Sequence, residues 1–335
     1  MDAEQLRRLV GQAAPRWEEI REIRFRAGKP ILFLTDEGER ALYEDGRLGE
    51  PEGRPEREPE GGAKHKPGHG TAGMVLADRG LIRELLEIFS RHSLYAFEDE
   101  IRRGFLTIEG GHRVGIAGRV VLEGDRIRTI KDAAALNLRL AHERKGCGNP
   151  VLPWLFRDGE LLDTLILSPP GAGKTTLLRD LVRQLSEGGP HGPGMNVSVV
   201  DERSEIGACF QGVPQCDLGL RTDVLDGCPK ADGLLMMIRS MAPQVAAVDE
   251  IGTKEDLEAI QYGMNCGCRI LATVHGTSVA EIRQKPILRQ MAEAQLFSRY
   301  VVLSGQPKAG TVVGIYDEAL REVEGREEGK QGRRT

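Results

Sequence analysis

The chain has 335 residues, enough for about two domains of ordinary size. A formal net charge of −5 and a hydrophobic content of 40% allow real cores and leave no global field favouring nucleic acid or anionic lipid. No run of about 18 apolar residues exists and the N-terminus is charged and amphipathic rather than signal-like. The expectation is a soluble, cytoplasmic protein without direct membrane insertion, meeting any membrane through partners.

In chain order, Leu6, Leu9, Val10 and Ala13 recur at helical spacing. Ile23 and Phe25 alternate with Arg24 and Arg26 as in a half-buried strand, and residues 30–34 suggest another. Residues 44–73 are dense in Gly, Pro, Glu, Arg and His, with hardly an apolar side chain to offset the entropy of ordering. They are expected to form a disordered insertion. Residues 81–89 are helical in pattern. Residues 105–109, Gly110-Gly111 and residues 112–123 read as a β-hairpin, and residues 126–130 add a strand past the turn at Gly124-Asp125. Residues 1–148 are therefore expected to form an α+β domain. Asn149-Pro150 and Pro153 punctuate a linker over 149–160.

From 161 to 322 strands and helices alternate, which argues a mostly parallel sheet covered on both faces. Strands are expected near 162–168, 195–201, 245–249, 269–274, 297–303 and 311–316. Helices are expected near 174–187, 231–241, 254–264 and 278–294. The stretch between Glu202 and Ala231 has little periodicity, and a loop that long in a compact domain is usually functional. Residues 323–335 read as a flexible tail.

Ser168-Pro169-Pro170-Gly171-Ala172-Gly173-Lys174-Thr175-Thr176 follows the apolar run Leu165-Ile166-Leu167 and precedes an amphipathic helix. Strand, glycine-rich turn and Gly-Lys-Thr are the context of a phosphate-binding P-loop, with Ser168 where its first glycine is expected. Glycines let the turn from Pro170 to Thr176 curl until the N–H groups of residues 171–176 surround phosphate, and the helix N-terminus adds to the field. In that frame Lys174 reaches the β and γ phosphates of ATP and Thr175 ligates Mg²⁺. Val245-Ala246-Ala247-Val248-Asp249-Glu250 looks like a strand buried on both faces with acids at its C-terminal end, where open α/β sheets bind ligands. Asp249 is placed to hold the Mg²⁺ and Glu250 to handle the attacking water.

Val199-Val200-Asp201-Glu202-Arg203-Ser204-Glu205 puts acids and an arginine at a strand end; these, Glu202 and Glu205 among them, are candidates to support metal or water, with a surface charge cluster as the rival reading. His275, ending Leu271-Ala272-Thr273-Val274-His275-Gly276, is a candidate to sense the γ phosphate, with a structural histidine as its rival. The six cysteines include no Cys-x-x-Cys pair, so reduced thiols are expected. Cys209, Cys216 and Cys228 share one loop region, which leaves a metal site as the alternative.

These segments, with Met237-Ile238-Arg239-Ser240-Met241-Ala242-Pro243-Gln244 leading into the acidic strand, resemble the stage III sporulation protein AA family, itself similar to the ATPases of type II and type IV secretion systems. The resemblance extends into the first half through residues 22–30 and 111–119. It implies a P-loop NTPase motor of the RecA-like/AAA-type (ASCE) class, with Lys174 and Thr175 as Walker A and Asp249 and Glu250 as Walker B. Glu202 and Glu205 then fall in an aspartate box and His275 in a histidine box, on a strand between the P-loop strand and the Walker B strand. It further implies a homo-hexameric ring, membrane proteins of a sporulation channel as partners, and an arginine acting in trans, with Arg113, Arg119 and Arg139 as unranked candidates. The rival classes are a nucleic-acid-associated ATPase, weakened by the lack of an aromatic-basic surface pattern, and a non-hydrolysing nucleotide switch serving as a scaffold.

Overall fold

A computed structural model describes residues 2–13, 17–35, 37–51, 73–93, 97–102 and 104–323. The chain divides into two compact units, Met1–His142 and Glu143–Thr335.

The first unit is an antiparallel sheet with helices. Its elements are α1 (Ala3–Ala13), β1 (Ile20–Arg26), β2 (Lys29–Pro30), β3 (Leu32–Thr35), β4 (Gly38–Leu42), β5 (Leu48–Gly49), β6 (Leu76–Ala77), α2 (Arg79–Phe89), α3 (Glu98–Arg102), β7 (Phe105–Ile108), β8 (His112–Glu123) and β9 (Arg126–Arg139). Seven of the strands form one sheet in the order β5-β4-β3-β1-β9-β8-β7. Ile23 and Phe25 are buried while Arg24 and Arg26 are half-buried on the other face, as the period-2 pattern requires. α2 begins at Asp78, whose carboxylate accepts the Leu81 N–H at 2.8 Å.

Two expectations change here. The strand expected over 126–130 continues to Arg139, because the left-handed Asp132 (φ 49°) and a register shift opposite Gly118 absorb the polar Lys131-Asp132 pair. The insertion expected over 44–73 does not begin at 44. Residues 44–51 are held by β5, by the bridge between Tyr43 and Met74, and by the Tyr43 hydroxyl donating to the Glu50 carbonyl at 2.9 Å. Residues 52–72 lie outside the described residues.

The second unit comprises β10 (Phe156–Arg157), β11 (Glu160–Leu161), β12 (Thr164–Ser168), α4 (Lys174–Glu187), β13 (Gly188–Gly189), β14 (Gly192–Pro193), β15 (Val197–Asp201), β16 (Thr222–Asp226), α5 (Lys230–Met241), β17 (Val245–Val248), α6 (Lys254–Asn265), β18 (Arg269–His275), α7 (Val279–Gln284), α8 (Pro286–Glu293), β19 (Arg299–Ser304) and β20 (Thr311–Asp317). Its main sheet runs β16-β15-β17-β18-β12-β19-β20. Every pairing is parallel except the edge pair β19–β20.

Alternation explains why its inner strands are continuously apolar. Leu165, Leu167, Ala246, Val248, Ile270, Ala272 and Val274 join one core, and Ile166, Val245, Ala247 and Leu271 join the core on the opposite face. β18, which ends in His275, lies between β12 and β17, the strand that ends before Asp249.

Residues 149–160, expected as a linker, are part of this unit. Val151, Leu155 and Leu161 are buried in its core, and β10 pairs with β11. The helix expected over 278–294 is two helices, because Pro286 forces Lys285 into extended backbone (φ −81°, ψ 122°). β16, inside the stretch read as loop, pairs in parallel with β15 at the sheet edge. Among the described residues no helix is long and apolar enough to cross a membrane.

Candidate active site at the ends of the parallel strands

β12 delivers the chain to the glycine-rich turn and α4 leaves it. Gly173 caps α4 with φ 86° and supplies no side-chain cap, so the first N–H groups of the helix have no side-chain acceptor of their own there. The positive φ favours glycine at 173, and a Cβ there would also stand 3.2 Å from the Gly310 backbone nitrogen, a tight approach. That neighbouring loop is tied on through Gly310 N–H donating to the Ala172 carbonyl at 2.9 Å. Ser168 is fully buried as the last residue of β12, and its hydroxyl donates to the Pro169 carbonyl at 2.7 Å. It shapes the turn where a glycine was expected.

Five side chains singled out from the sequence meet here. Lys174 Nζ donates to Glu250 Oε1 at 2.5 Å and stands 3.8 Å from Asp249. Thr175 Oγ1 donates to Asp249 Oδ2 at 2.6 Å. His275, level with Ser168 across the β12–β18 pairing, places Nε2 2.9 Å from Glu250 Oε1. Glu250 is left-handed, with φ 57°, a conformation that costs a non-glycine residue roughly 1 kcal/mol or more. Its own N–H donates to Thr273 Oγ1 at 2.9 Å and the next N–H, of Ile251, to the Thr273 carbonyl at 2.9 Å. Just beyond, Thr253 and Asp256 form a capping box on α6. These bonds hold the strained turn that aims the carboxylate.

Burial would raise the Glu250 pKa. The Lys174 hydrogen bond and charge, with Arg203 and His275, prevail and hold its carboxyl below the usual carboxylate range.

The segment after β15 is arranged differently from the expectation. Glu202 pairs with Lys230 at the start of α5 rather than with the groups around Glu250. Glu205 contributes through its backbone, its N–H donating to Asp201 Oδ1 at 2.8 Å and its carbonyl accepting from Arg179 at 2.6 Å. Asp201 is the buried carboxylate of this loop, accepting also from Ile206 N–H at 2.9 Å and Gly207 N–H at 2.8 Å. The side chain that does reach Glu250 is Arg203, with Nη1 2.6 Å from Oε2.

Sequence reasoning grouped Arg203 with the acids of its segment without assigning it to Glu250, and it missed Thr273, whose hydroxyl donates to Asp249 as well. Thr273 was findable, since it stands two residues before His275 on the same face of β18. Of the arginines suggested to act in trans, Arg139 pairs with Glu22 at 3.3 Å, Arg113 lies over the Phe105 ring at 4.6 Å, and Arg119 stands opposite Lys131.

Among the described residues no group of three or more His, Cys, Asp or Glu could hold a metal, so the metal alternative for Cys209, Cys216 and Cys228 finds no support. Mg²⁺ in nucleotide sites takes one or two protein oxygens and completes its shell with water and phosphate. The linked Thr175 hydroxyl and Asp249 carboxylate fit that requirement.

A parallel sheet with a glycine turn on one strand and carboxylates at the end of another defines a P-loop-like mixed α/β protein, and its fold is similar to that of two solved ATPase and pilus-motor structures. The ATPase DotB of Legionella pneumophila superposes with a TM-score of 0.52 at 14% identity, over 89% of this chain and 74% of that one. The pilus retraction motor PilT with bound ADP gives 0.56 at 13% identity, over 90% and 78%. At such identities the likeness is one of fold. Stage III sporulation protein AA of Bacillus subtilis (strain 168) is 40% identical over 301 residues, 90% of this chain and 88% of that protein. The family model described as "Sporulation stage III, protein AA" matches residues 63–323, and the chain belongs to that family.

Proposed function

We propose that this chain is a Mg²⁺-dependent ATPase, a motor that assembles or energises a membrane channel during endospore formation. The carrying observation is the convergence of Lys174, Thr175, Asp249, Glu250 and His275 at the C-terminal ends of β12, β17 and β18, beside an uncapped helix N-terminus. Lys174 and Glu250 are 9% and 15% exposed, and parting a pair so buried without a substitute costs about 3–5 kcal/mol. A β/γ phosphate provides the substitute. Lys174 moves from the carboxylate to the phosphates, and Glu250 becomes available to orient the attacking water. Thr175 and Asp249 would hold Mg²⁺, which when bound neutralises charge building on the transferred phosphoryl group.

Catalysis in this scheme is positioning and electrostatics. His275 keeps Glu250 oriented while Lys174 leaves. A hexameric ring, attached to the cytoplasmic face of a membrane through channel proteins, is the assembly proposed with this activity. Its support is the shared fold with DotB and PilT together with membership of a sporulation family.

The test is phosphate release by the full chain with ATP, with and without Mg²⁺. Release that needs Mg²⁺ and falls to background in Lys174→Ala is expected. Release equal in Lys174→Ala overturns the role given to Lys174, and none above background under any condition overturns the ATPase reading and leaves the non-hydrolysing nucleotide switch.

A further inference from the structure

Arg203 is drawn into the site by a loop whose other members are committed elsewhere. Asp201 accepts three backbone N–H groups at 2.8–2.9 Å, Glu202 is paired with Lys230, and Ser204, left-handed at φ 52°, donates to Asp226 at 2.5 Å. The carbonyls of Glu205 and Ile206 accept from the Arg179 guanidinium at 2.6 and 2.7 Å, and Arg179 belongs to α4, the helix that starts in the glycine turn. The loop is thus fastened to its own strand, to α5, to β16 and to the P-loop helix. Arg203 stands on that pedestal with its side chain 63% exposed, touching Glu250 Oε2 while Lys174 holds Oε1.

One carboxylate therefore carries an ammonium on one oxygen and a guanidinium on the other. A phosphate offers the same two cations more oxygens and more charge than a carboxylate, and guanidinium geometry matches it in a bidentate fork. The groups facing Glu250 are Lys174 from α4, Arg203 from the loop after β15, His275 from the end of β18 and the adjoining Asp249. Of the two permanent cations, Lys174 is rooted in the phosphate turn. Arg203 reaches in from the side opposite the P-loop strand, across the sheet order β15-β17-β18-β12.

We propose that Arg203 is a γ-phosphate sensor acting within its own subunit, exchanging between Glu250 and the γ phosphate of ATP. Resting on the ATPase reading, the exchange makes liberation of Glu250 depend on the third phosphate. ADP draws on Lys174 alone and leaves Arg203 on Glu250, so the carboxylate stays clamped after hydrolysis. Through Arg179, the loop that carries Arg203 reports the same event to α4.

The experiment measures equilibrium binding of fluorescent ADP and of a fluorescent non-hydrolysable ATP analogue to the full chain, in wild type, Arg203→Ala, Arg203→Lys and Lys174→Ala. Loss of one charge-assisted phosphate contact predicts about a 10- to 100-fold weaker analogue affinity in Arg203→Ala, with ADP affinity within about twofold of wild type. Arg203→Lys should recover part of the difference. The exposure of Arg203 makes its substitution compatible with folding, and melting temperature checks this. Glu250→Gln provides an independent arm, because weakening the competing carboxylate should raise the preference for the analogue over ADP. Equal loss of both nucleotides, or no loss of either, in Arg203→Ala overturns the sensor while leaving the ATPase intact. Wild-type binding that Lys174→Ala does not weaken overturns the ATPase reading and the sensor with it.

Discussion

Replacing Asp201 should destabilise the second unit more than any other single carboxylate change in the loop after β15. The side chain is 2% exposed and accepts the N–H groups of Glu205, Ile206 and Gly207. Asp201→Ala leaves three donors without their acceptor at about 1–3 kcal/mol each, so about 3–5 kcal/mol is expected once water reaches some of them. For a domain of about 150–250 residues that corresponds to a melting-temperature fall of roughly 6–20 °C.

Asp201→Asn should cost less. Its single carbonyl can serve the two bonds made by Oδ2, leaving the amide facing the Glu205 N–H, so one bond is lost instead of three. Burial also pushes the Asp201 carboxyl above its ordinary value of 3.8, against the opposing pull of those N–H bonds. A raised carboxyl contributes stability at low pH that is lost as pH rises through its folded-state pKa, so removing the charge offsets part of the Asn penalty at pH 7. Urea denaturation of the three proteins, with hydrogen exchange of amides 205–207, measures the series. An Asp201→Ala loss under about 1 kcal/mol, or Asn costing more than Ala, would refute the reasoning.

Gly118→Ala should destabilise the first unit by about 1–3 kcal/mol, since its Cβ would meet Ala133 Cα and the Asp132 carbonyl at 2.8 Å; thermal melting reads this, and an unchanged melt contradicts the β8–β9 register. Burial pushes the Cys147 thiol to about 11 and the Cys209 and Cys268 thiols to about 12. At pH 8 only about one Cys147 thiol in a thousand is ionised, so a thiol-disulfide reagent should modify the exposed Cys266 first and these three only in denaturant. Mixing Glu250→Gln subunits into wild type should lower activity more than dilution alone, as a stalled subunit in a ring holds its neighbours; a strictly proportional fall argues for independent subunits.

The parts of the fold that the sequence disclosed are those in which burial writes a simple pattern. Leu165–Leu167 and Val245–Val248 are apolar throughout because both faces of their sheet are covered, and the acids begin where Val248 ends the strand. β16 was hidden because an edge strand, Thr222–Asp226, is only half-buried and carries acids within it. Residues 149–160 looked like a linker for their prolines, yet Val151 and Leu155 are buried in the core of the second unit. Lys174, Thr175, Asp249 and Glu250 were readable because spacing from strand ends sets their place. The contact of Arg203 with Glu250 was not, since a loop residue's direction depends on bonds made by its neighbours: Asp201 turns the backbone, Glu202 takes Lys230, and the arginine is left aimed at Glu250.

The central claim is that Glu250 handles water for ATP held by Lys174. Single-turnover hydrolysis of γ-labelled ATP, on an excess of wild type and of Glu250→Gln with Mg²⁺, tests it most directly. The account predicts conversion of bound ATP to ADP and phosphate by wild type. It predicts that Glu250→Gln retains uncleaved ATP with a rate at least about 100-fold lower, because the phosphate contacts remain while water activation is lost. Cleavage by Glu250→Gln at the wild-type rate would contradict it.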